Sequence, residues 1–353
     1  MQLTRRAALT ALLAPLLLVA GCNTNAPTQN GAASSQATGA AQSVRIAFFP
    51  NVTHAAALVG TGNGTFGRAF GPNVRVEERV FSAGPAEIEA LFAGEVDLGY
   101  IGPSPAVNGY LKSGGQALKI IAGASSGGAA LVARQGVAIA SVKDLAGKRV
   151  AVPQTGGTQD ISLRHALQTA GLASKDKNGT VDVLQFAPAD TLNQFRQNTL
   201  DAAWVPEPWA ARLEAEAGAR VVLDERDLWP NHKFATTVVI VRADFLKSHP
   251  DLVQKFLTAH REAVQFIQTK PDEARKIIGD RLKELNKGKG LPDAVLKTAL
   301  SRTDITDDPL PETVLAFADQ AKALGYLRQD RAALADLFVS PSASGSKTAS
   351  TTK

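Results

Sequence analysis

Cysteine is almost absent from this chain of 353 residues, and its absence excludes several kinds of chemistry. The one cysteine is Cys22, which follows an apolar run at the amino terminus. No thiol follows it, so the folded region can hold no disulfide bond, no thiolate nucleophile and no cysteine-ligated metal. We expect neither a metal site nor a cofactor in this protein.

Clusters of basic residues are also missing. The net charge is +5 and the isoelectric point is about 9.3. The lysines and arginines of the protein are scattered along the chain, however, which argues against nucleic acid as a partner. A mildly positive balance suits an anionic solute or a negatively charged membrane surface. The chain has no strict short-period repeat that would indicate a solenoid or a propeller.

The amino terminus has the features of an export signal. Arg5 and Arg6 precede an apolar run that is too short for a transmembrane helix and ends at small residues. Its last four residues, from Val19 to Cys22, resemble a bacterial lipobox. We predict a signal peptide over 1–21 and lipidation of Cys22, with an ordinary signal peptide as the alternative. The general and the twin-arginine export routes both stay open.

Two further segments lack any apolar period. Residues 22–42 are small and polar, which predicts a flexible tether behind the lipidated cysteine. Residues 340–353 are rich in Ser, Thr and Lys, which predicts a disordered tail. The remaining stretch, roughly 300 residues, is long enough for two domains.

Between these segments, short β-rich runs alternate with helical patterns. This alternation indicates an α/β fold with parallel strands and crossover helices. From residue 250 to 338 we expect helices only, with Leu252, Phe256, Leu257, Ala263, Val264 and Ile267 on one face of a long helix. The predicted strands are 44–49, 74–81, 96–102, 118–124, 149–153, 181–186, 200–205, 220–225 and 236–242. The predicted helices ahead of residue 250 are 54–69, 85–93, 104–112, 158–170, 190–198 and 207–217.

Open α/β sheets bind ligands at the carboxyl ends of their strands, where helix amino termini present backbone N–H groups. Two early strand-to-helix turns have suitable residues. In FFPNVTHAAALVG, Asn51 can cap the helix and His54 can reach the crevice. In YIGPSPAVNGY, Gly102 permits a tight turn and Ser104 supplies a hydroxyl. Each turn can also be a plain helix cap without a ligand.

A third turn, VPQTGGTQ, combines close backbone approach with neutral donors. Gly156 and Gly157 allow the backbone to come near a ligand, and Thr155, Thr158 and Gln159 add hydroxyl and amide groups. The turn lacks the lysine and the spacing of a nucleotide P-loop, and it has no G-x-G-x-x-G pattern. We therefore predict a loop for a compact oxyanion and not for a polyphosphate.

A fourth turn, DAAWVPEPW, offers an apolar wall in Trp204 and an acceptor in Glu207 for a ligand amine or another pocket donor. The alternative is that Glu207 only complements the positive end of its helix. Ser126 and Gly127 lie in a glycine-rich stretch that leads to the second half of the chain and can line the crevice. Together with a return over 234–242, this stretch predicts a hinge of two extended crossings.

Taken in order, these motifs resemble the substrate-binding lipoproteins of ABC importers, in the nitrate, sulfonate and taurine group. The resemblance rests on AGPAEIEALFAGEVDLGYIGPSP (83–105), DLAGKRVAVPQTGGT (144–158) and DAAWVPEPW (201–209), and it covers about 43–339. The aliphatic-sulfonate binders are the most similar group, although the "EPW" motif also resembles the nitrate-binding branch.

The resemblance implies a type-II periplasmic-binding-protein fold, in which two α/β lobes are joined by two crossover strands and the ligand lies in the interlobe cleft. Lobe one would comprise 43–133 plus 236–339, including the C-terminal helices, and lobe two would comprise 134–235. Members of this group hold the acid group of the ligand at helix amino termini. The four turns described above are the matching positions in this chain.

The function implied by the resemblance is capture of a small oxyanion-bearing solute, foremost an aliphatic sulfonate or taurine, and its delivery to a membrane permease. The protein would be a monomeric, non-enzymatic lipoprotein of the cell envelope, anchored through Cys22 and facing the periplasm or the outer surface of the cell membrane. Nitrate, bicarbonate and an amino-pyrimidine are alternative ligands. An enzyme on this fold is a further alternative, but it would call for a cysteine motif that the folded region lacks. A surface lipoprotein with an interaction role is the last alternative, and the cleft turns argue against it.

Overall fold

A computed structural model describes residues 43–339. The predicted signal peptide, the lipidation site at Cys22, the tether and the tail at 340–353 lie outside the described residues. None of the helices within 43–339 has both the length and the apolar character needed to cross a membrane.

Within residues 43–339, eleven strands form two separate sheets. Eight of them agree with a predicted strand to within two residues at both ends. A ninth, β4, begins where predicted and ends three residues later than predicted. The sequence prediction missed β5 and β11, and the expectation of helices alone after residue 250 was wrong at β11. In chain order, the strands are β1 (Ser43–Phe48), β2 (Arg75–Val80), β3 (Leu98–Ile101), β4 (Leu118–Gly127), β5 (Ala129–Ala133), β6 (Arg149–Val152), β7 (Asp182–Gln185), β8 (Ala202–Pro206), β9 (Arg220–Asp224), β10 (Ala235–Arg242) and β11 (Thr303–Ile305).

Helices cover the faces of both sheets. The first predicted helix is divided into α1 and α2 because Gly64 lies between them in the left-handed region at φ 76°. In chain order, the α-helices are α1 (Ala55–Gly62), α2 (Thr65–Phe70), α3 (Gly84–Phe92), α4 (Pro103–Lys112), α5 (Thr158–Thr169), α6 (Pro188–Arg196), α7 (Trp209–Ala217), α8 (Ala243–Ser248), α9 (Pro250–Thr269), α10 (Pro271–Leu285), α11 (Asp293–Ser301) and α12 (Pro311–Ala323).

Both sheets are mixed and not parallel throughout, so the expectation of parallel strands was only partly right. The six-stranded sheet has the order β11-β4-β10-β3-β1-β2, and the five-stranded sheet has the order β7-β6-β8-β5-β9. Strand β10 runs antiparallel to β3 and β4, and β5 runs antiparallel to β8 and β9. The reason is that β5 and β10 carry the chain from one sheet to the other, so each enters its sheet from the cleft side.

We call the part built on the six-stranded sheet the first lobe and the part built on the five-stranded sheet the second lobe. Between them the chain crosses at Gly127 and Gly128, which both have a φ of 72°, and again over 225–234. A positive φ of this size favours glycine, which explains the glycine-rich stretch at the first crossing. Strand β5 belongs to the five-stranded sheet of the second lobe, whereas the predicted boundary had assigned residues up to 133 to lobe one.

The core of the first lobe lies on both faces of its sheet. One apolar cluster joins β1 to α1, α9 and α10, and another joins the opposite face to α4 and α12. The predicted apolar face of α9 is confirmed, because all six of its residues are buried. Strand β10 is buried along seven of its eight residues, as expected for a central strand. The C-terminal helices thus pack on both faces of the first-lobe sheet.

Candidate functional site

A cavity of about 30 Å³ lies between the two lobes, at the carboxyl ends of β1, β3, β6 and β8. Its volume is comparable with the share of one molecule in liquid water, ~30 Å³. Six residues of the predicted site line it, from both lobes: Asn51, His54, Gly102, Gly157, Thr158 and Gln159. The structure therefore brings predicted site residues from three of the four turns together, and the fourth turn contributes only Pro206.

The turn after β1 supplies a neutral imidazole to this cavity. The backbone N–H of Phe49 donates to Nδ1 of His54 at 3.3 Å, which leaves the ring proton on Nε2. Burial lowers the pKa of His54 to about 3, because nothing nearby compensates the loss of hydration of the charged ring. His54 therefore acts as a neutral N–H donor at physiological pH.

Asn51 connects the two lobes at the same turn. Its side-chain oxygen accepts a hydrogen bond from Nε1 of Trp209 at 3.0 Å, and both groups are buried. The backbone N–H of Val52 donates to the carbonyl of Glu207, also at 3.0 Å. With its oxygen occupied, Asn51 has its amide N–H groups to offer to a ligand.

The start of α4 comes within contact distance of the second lobe. A β-carbon on Gly102 would stand 2.2 Å from Oγ1 of Thr158, so only glycine permits this approach. Oγ1 of Thr158 is buried and has no hydrogen-bond partner within the described residues. Ser104 also has a buried hydroxyl without a partner in that part of the chain, although it does not line the cavity.

The loop before α5 owes its shape to backbone geometry and to one carboxylate. Gly156 has a φ of 77° and donates its N–H to Asp160 at 2.8 Å. Gly157 precedes the helix in an extended conformation, and the first turn of α5 lines the cavity with Thr158 and Gln159. Thr155 is exposed and donates its N–H to the side chain of Gln185, so the structure does not place it on the cavity.

Trp204 does not form a wall of the cleft as predicted. Its side chain is fully buried in the core of the second lobe, and its Nε1 donates to Glu225 at 2.6 Å. The reason is strand alternation: successive side chains on β8 point to opposite faces of the sheet, and Trp204 lies on the face covered by α5.

Glu207 likewise is engaged by the protein itself and does not line the cavity. One carboxylate oxygen accepts the N–H of Ala211 at 3.0 Å, which caps α7, and the other accepts from Arg302 at 3.1 Å. Burial raises the pKa of Glu207 while Arg302 and the helix N–H act in the opposite direction. The structural alternative, in which Glu207 complements a helix end, describes its position.

Ser126 and Gly127 belong to the first crossing and not to the cavity wall. The hydroxyl of Ser126 accepts the N–H of Phe234 at 3.2 Å, which links the two crossings. The carbonyl of Gly127 accepts a hydrogen bond from the hydroxyl of Thr236. These two residues thus stabilise the hinge region.

Comparison with known proteins places this geometry in a family. The model of the NMT1-like family matches residues 37–280, which is more than half of the chain. The chain belongs to the NMT1-like family.

Two groups of relatives show how this NMT1-like protein compares in sequence. It is 31% identical over 209 residues to Brucella abortus proteins whose names describe them as binding proteins, and the match covers 59% of this chain and 62% of theirs. It is 28% identical to the taurine-binding periplasmic protein of Escherichia coli K12, over 66% of this chain and 69% of that one. The match thus spans less than two thirds of the length of the Brucella relatives.

Solved structures show the fold. The alkanesulfonate-binding protein of Xanthomonas axonopodis pv. citri bound to MOPS matches with a TM-score of 0.68 and 21% identity, over 82% of this chain and 95% of that one. The periplasmic nitrate-binding protein of Synechocystis PCC 6803 matches with a TM-score of 0.69 and 15% identity, over 83% and 84% of the two chains. The NMT1-like chain therefore has the two-lobe α/β periplasmic-binding-protein fold.

Several residues of the cavity wall were not singled out from the sequence. The start of α3 contributes Ser82, Ala83 and Gly84, and β10 contributes Thr236 and Thr237. A Ser-Ala-Gly run ahead of a helix is a recognisable capping signal, so the first group could have been found. The hydroxyl of Thr237 is buried without a partner among the described residues, but nothing in a β-rich run marks it in advance.

Among the described residues that line the cavity, none has a charged side chain. The available groups are hydroxyls, amides, backbone N–H groups and the neutral imidazole of His54. Such a set can donate several hydrogen bonds to one acceptor-rich solute without introducing a formal countercharge.

Proposed function

We propose that this protein is the substrate-binding component of an ABC importer, which captures a small oxyanion-bearing solute and delivers it to a membrane permease. The observation that carries the proposal is the uncharged, donor-rich cavity built from both lobes. Helix amino termini supply partial positive charge, and hydrogen bonds to an anion are stronger than those between neutral groups. A ligand that contacts both lobes only when they meet favours the closed arrangement.

The ligands that we propose first are aliphatic sulfonates and taurine. The name of the Escherichia coli relative supports this choice, because it is a taurine-binding protein at 28% identity. The cavity of about 30 Å³ has the size of one water molecule, so binding of a sulfonate requires the lobes to separate or the wall to rearrange. That small volume favours nitrate or bicarbonate as the second candidate, and an amino-pyrimidine would need still more room.

Binding without turnover is the expected mode of action. His54 and Glu207 were the two groups of the cleft turns that could perform acid–base chemistry. His54 accepts from Phe49 and is neutral, whereas Glu207 is engaged by Ala211 and Arg302. Recovery of unchanged ligand after incubation supports a binding protein, and release of a product would contradict it.

The location that fits this role is the cell envelope, as the names of periplasmic relatives support. We propose that the chain is exported, lipidated at Cys22 and held at a membrane as a monomer, next to its permease. Substitution of Cys22 by Ser should release the protein from the membrane fraction, and unchanged membrane association would contradict lipidation.

The ligand can be identified in two steps. Mass spectrometry of small molecules released from the purified protein shows what the cleft holds. Thermal unfolding is then measured with taurine, ethanesulfonate, nitrate, bicarbonate, sulfate and an amino-pyrimidine. A ligand present at about 100 times its Kd should stabilise the protein by roughly 2.7 kcal/mol. No shift with any of these compounds would contradict the proposed function.

A further inference from the structure

A second and much larger cavity lies away from the cleft. Its volume is about 640 Å³, within the range of small-molecule sites, roughly 300–1,000 Å³. The second half of α5, the end of β9 and the crossing segment over 225–234 form its walls, and Gln320 of α12 closes it from the first lobe. No residue of the predicted cleft site lines it.

The wall of this second cavity is mostly apolar. Leu228 belongs to it and keeps 49% of its surface exposed, so its side chain is available to a ligand. Beside it, the indole of Trp229 stacks on Phe234 at 5.4 Å and provides a flat aromatic surface. Both residues lie on the crossing segment, so an apolar occupant would contact the hinge directly.

The polar groups that a ligand can reach favour an anion. Lys143 is exposed at the cavity, and no carboxylate of the described chain forms an ion pair with it. His165 also lines the cavity and is half-buried, and burial lowers its pKa, so its ring is a neutral donor at physiological pH. The nearby Asp144 is occupied by the N–H groups of Ala140 and Ser141.

Among the described residues, Glu225 is the carboxylate that lines this cavity, and its oxygens are engaged by the protein. They accept hydrogen bonds from Ser162 at 2.5 Å and from Trp204 at 2.6 Å. Burial raises its pKa to about 7, and these hydrogen bonds act in the opposite direction.

We propose that this cavity, called here the rear site, binds an organic anion with an aromatic or branched apolar body, whose charged end lies at Lys143 and His165. Helix α5 connects the rear site to the cleft, because its first turn lines the cleft and its later turns line the rear site. An anion bound in the rear site would therefore contact the same helix whose first turn lines the cleft. The inference does not depend on which solute the cleft takes.

The probe for this site is 8-anilinonaphthalene-1-sulfonate, titrated into the native full-length protein and followed by its fluorescence. We expect saturable binding at one site, and at least tenfold weaker binding after Lys143→Glu. The matched control is Lys247→Glu, which reverses another exposed lysine without an ion pair among the described residues and should leave the Kd within twofold. Equal Kd values for the two variants would overturn the proposal.

A second pair of variants tests the position of the probe without relying on charge. Thr169 is exposed and lines the rear site, so Thr169→Phe should obstruct it, whereas Gln168→Phe adds the same ring at an exposed neighbour outside it. We expect loss of probe binding only for Thr169→Phe. A naphthylammonium cation of similar size should bind at least tenfold more weakly than the anion. Strictly competitive displacement of the probe by a cleft ligand, or equal binding of anion and cation, would overturn the proposal.

Discussion

At the scale of single residues, the cleft depends on how closely two small groups approach each other. Gly102 and Thr158 face one another across the lobes, and the space between them cannot hold a β-carbon. His54 is equally constrained, since one ring nitrogen is used by Phe49 and only the other can serve a ligand. Contacts within the protein therefore hold these donors in position, which lowers the entropic cost of binding.

Gly102→Ala should weaken ligand binding at least tenfold, or about 1.4 kcal/mol, because its methyl group keeps the lobes apart at Oγ1 of Thr158. Thr158→Ala should also weaken binding, through loss of a hydroxyl donor. In the double variant, Gly102→Ala should reduce the affinity far less than in the single variant, because the hydroxyl of Thr158 that its methyl group would contact has been removed. Calorimetric titration measures the cycle, and Gly67→Ala, which has open space around it, is the control. Strict additivity would contradict direct contact.

The protonation of His54 leads to a prediction on pH. With its pKa lowered to about 3, the ring stays neutral from pH 5 to pH 8, so the Kd for a fully ionised anion should be constant over that range. In the unfolded chain, His54 has its ordinary pKa of about 6.5, so between pH 6.5 and pH 3 the unfolded state binds a proton that the folded state does not. The contribution of His54 to stability is therefore lost as the pH falls from about 6.5 towards 3. Affinity that increases as pH drops through 6.5 would show that the ring becomes charged.

At the scale of elements, α5 and the loop before it determine the second-lobe half of the cleft. Gly156 needs its positive φ, and a β-carbon on Gly157 would meet the carbonyl oxygen of Gln154 at 2.9 Å. Asp160 holds the loop from inside the helix, through the N–H of Gly156 and through Arg164 at 2.7 Å. The loop is thus shaped by the protein and not by a ligand.

Gly157→Ala should therefore weaken ligand binding at least tenfold while the thermal transition stays cooperative, because the turn must open to relieve the contact with Gln154. Gly156→Ala should mainly reduce stability, by roughly 1–2 kcal/mol, since its φ of 77° is unfavourable for alanine. Calorimetry and chemical unfolding of both variants separate the two effects. If both variants bind normally, the loop is only a helix cap.

At the scale of the whole molecule, hydrogen bonds and ion pairs join the two lobes. The hydroxyl of Tyr326 in the first lobe donates to Asp160 in the second at 3.1 Å. Arg302 in the first lobe pairs with Glu207 at 3.1 Å and with Glu214 at 2.6 Å in the second. Since these contacts exist only when the lobes meet, they contribute to the balance between open and closed forms.

Tyr326→Phe should raise the Kd by about threefold to tenfold, which corresponds to one lost hydrogen bond of about 0.5–1.5 kcal/mol in the closed form. The matched control is Tyr110→Phe, whose hydroxyl has no hydrogen bond among the described residues. Calorimetric titration gives the affinities, and small-angle scattering of the free protein should show a larger radius for Tyr326→Phe alone. The same effect from both variants would rule out an interlobe role for Tyr326.

The sequence by itself determined the alternation of strands and helices, the glycine-rich crossing and the three turns that meet at the cleft. These features follow from local periodicity, capping residues and backbone freedom, which neighbouring residues in the chain encode. Tertiary structure alone decided that Trp204 packs inward, that Glu207 is taken by Arg302, and that Thr237 reaches the cavity. The physical reason is that the side of a buried strand a residue faces, and the partner of a buried charge, depend on elements that are distant in sequence.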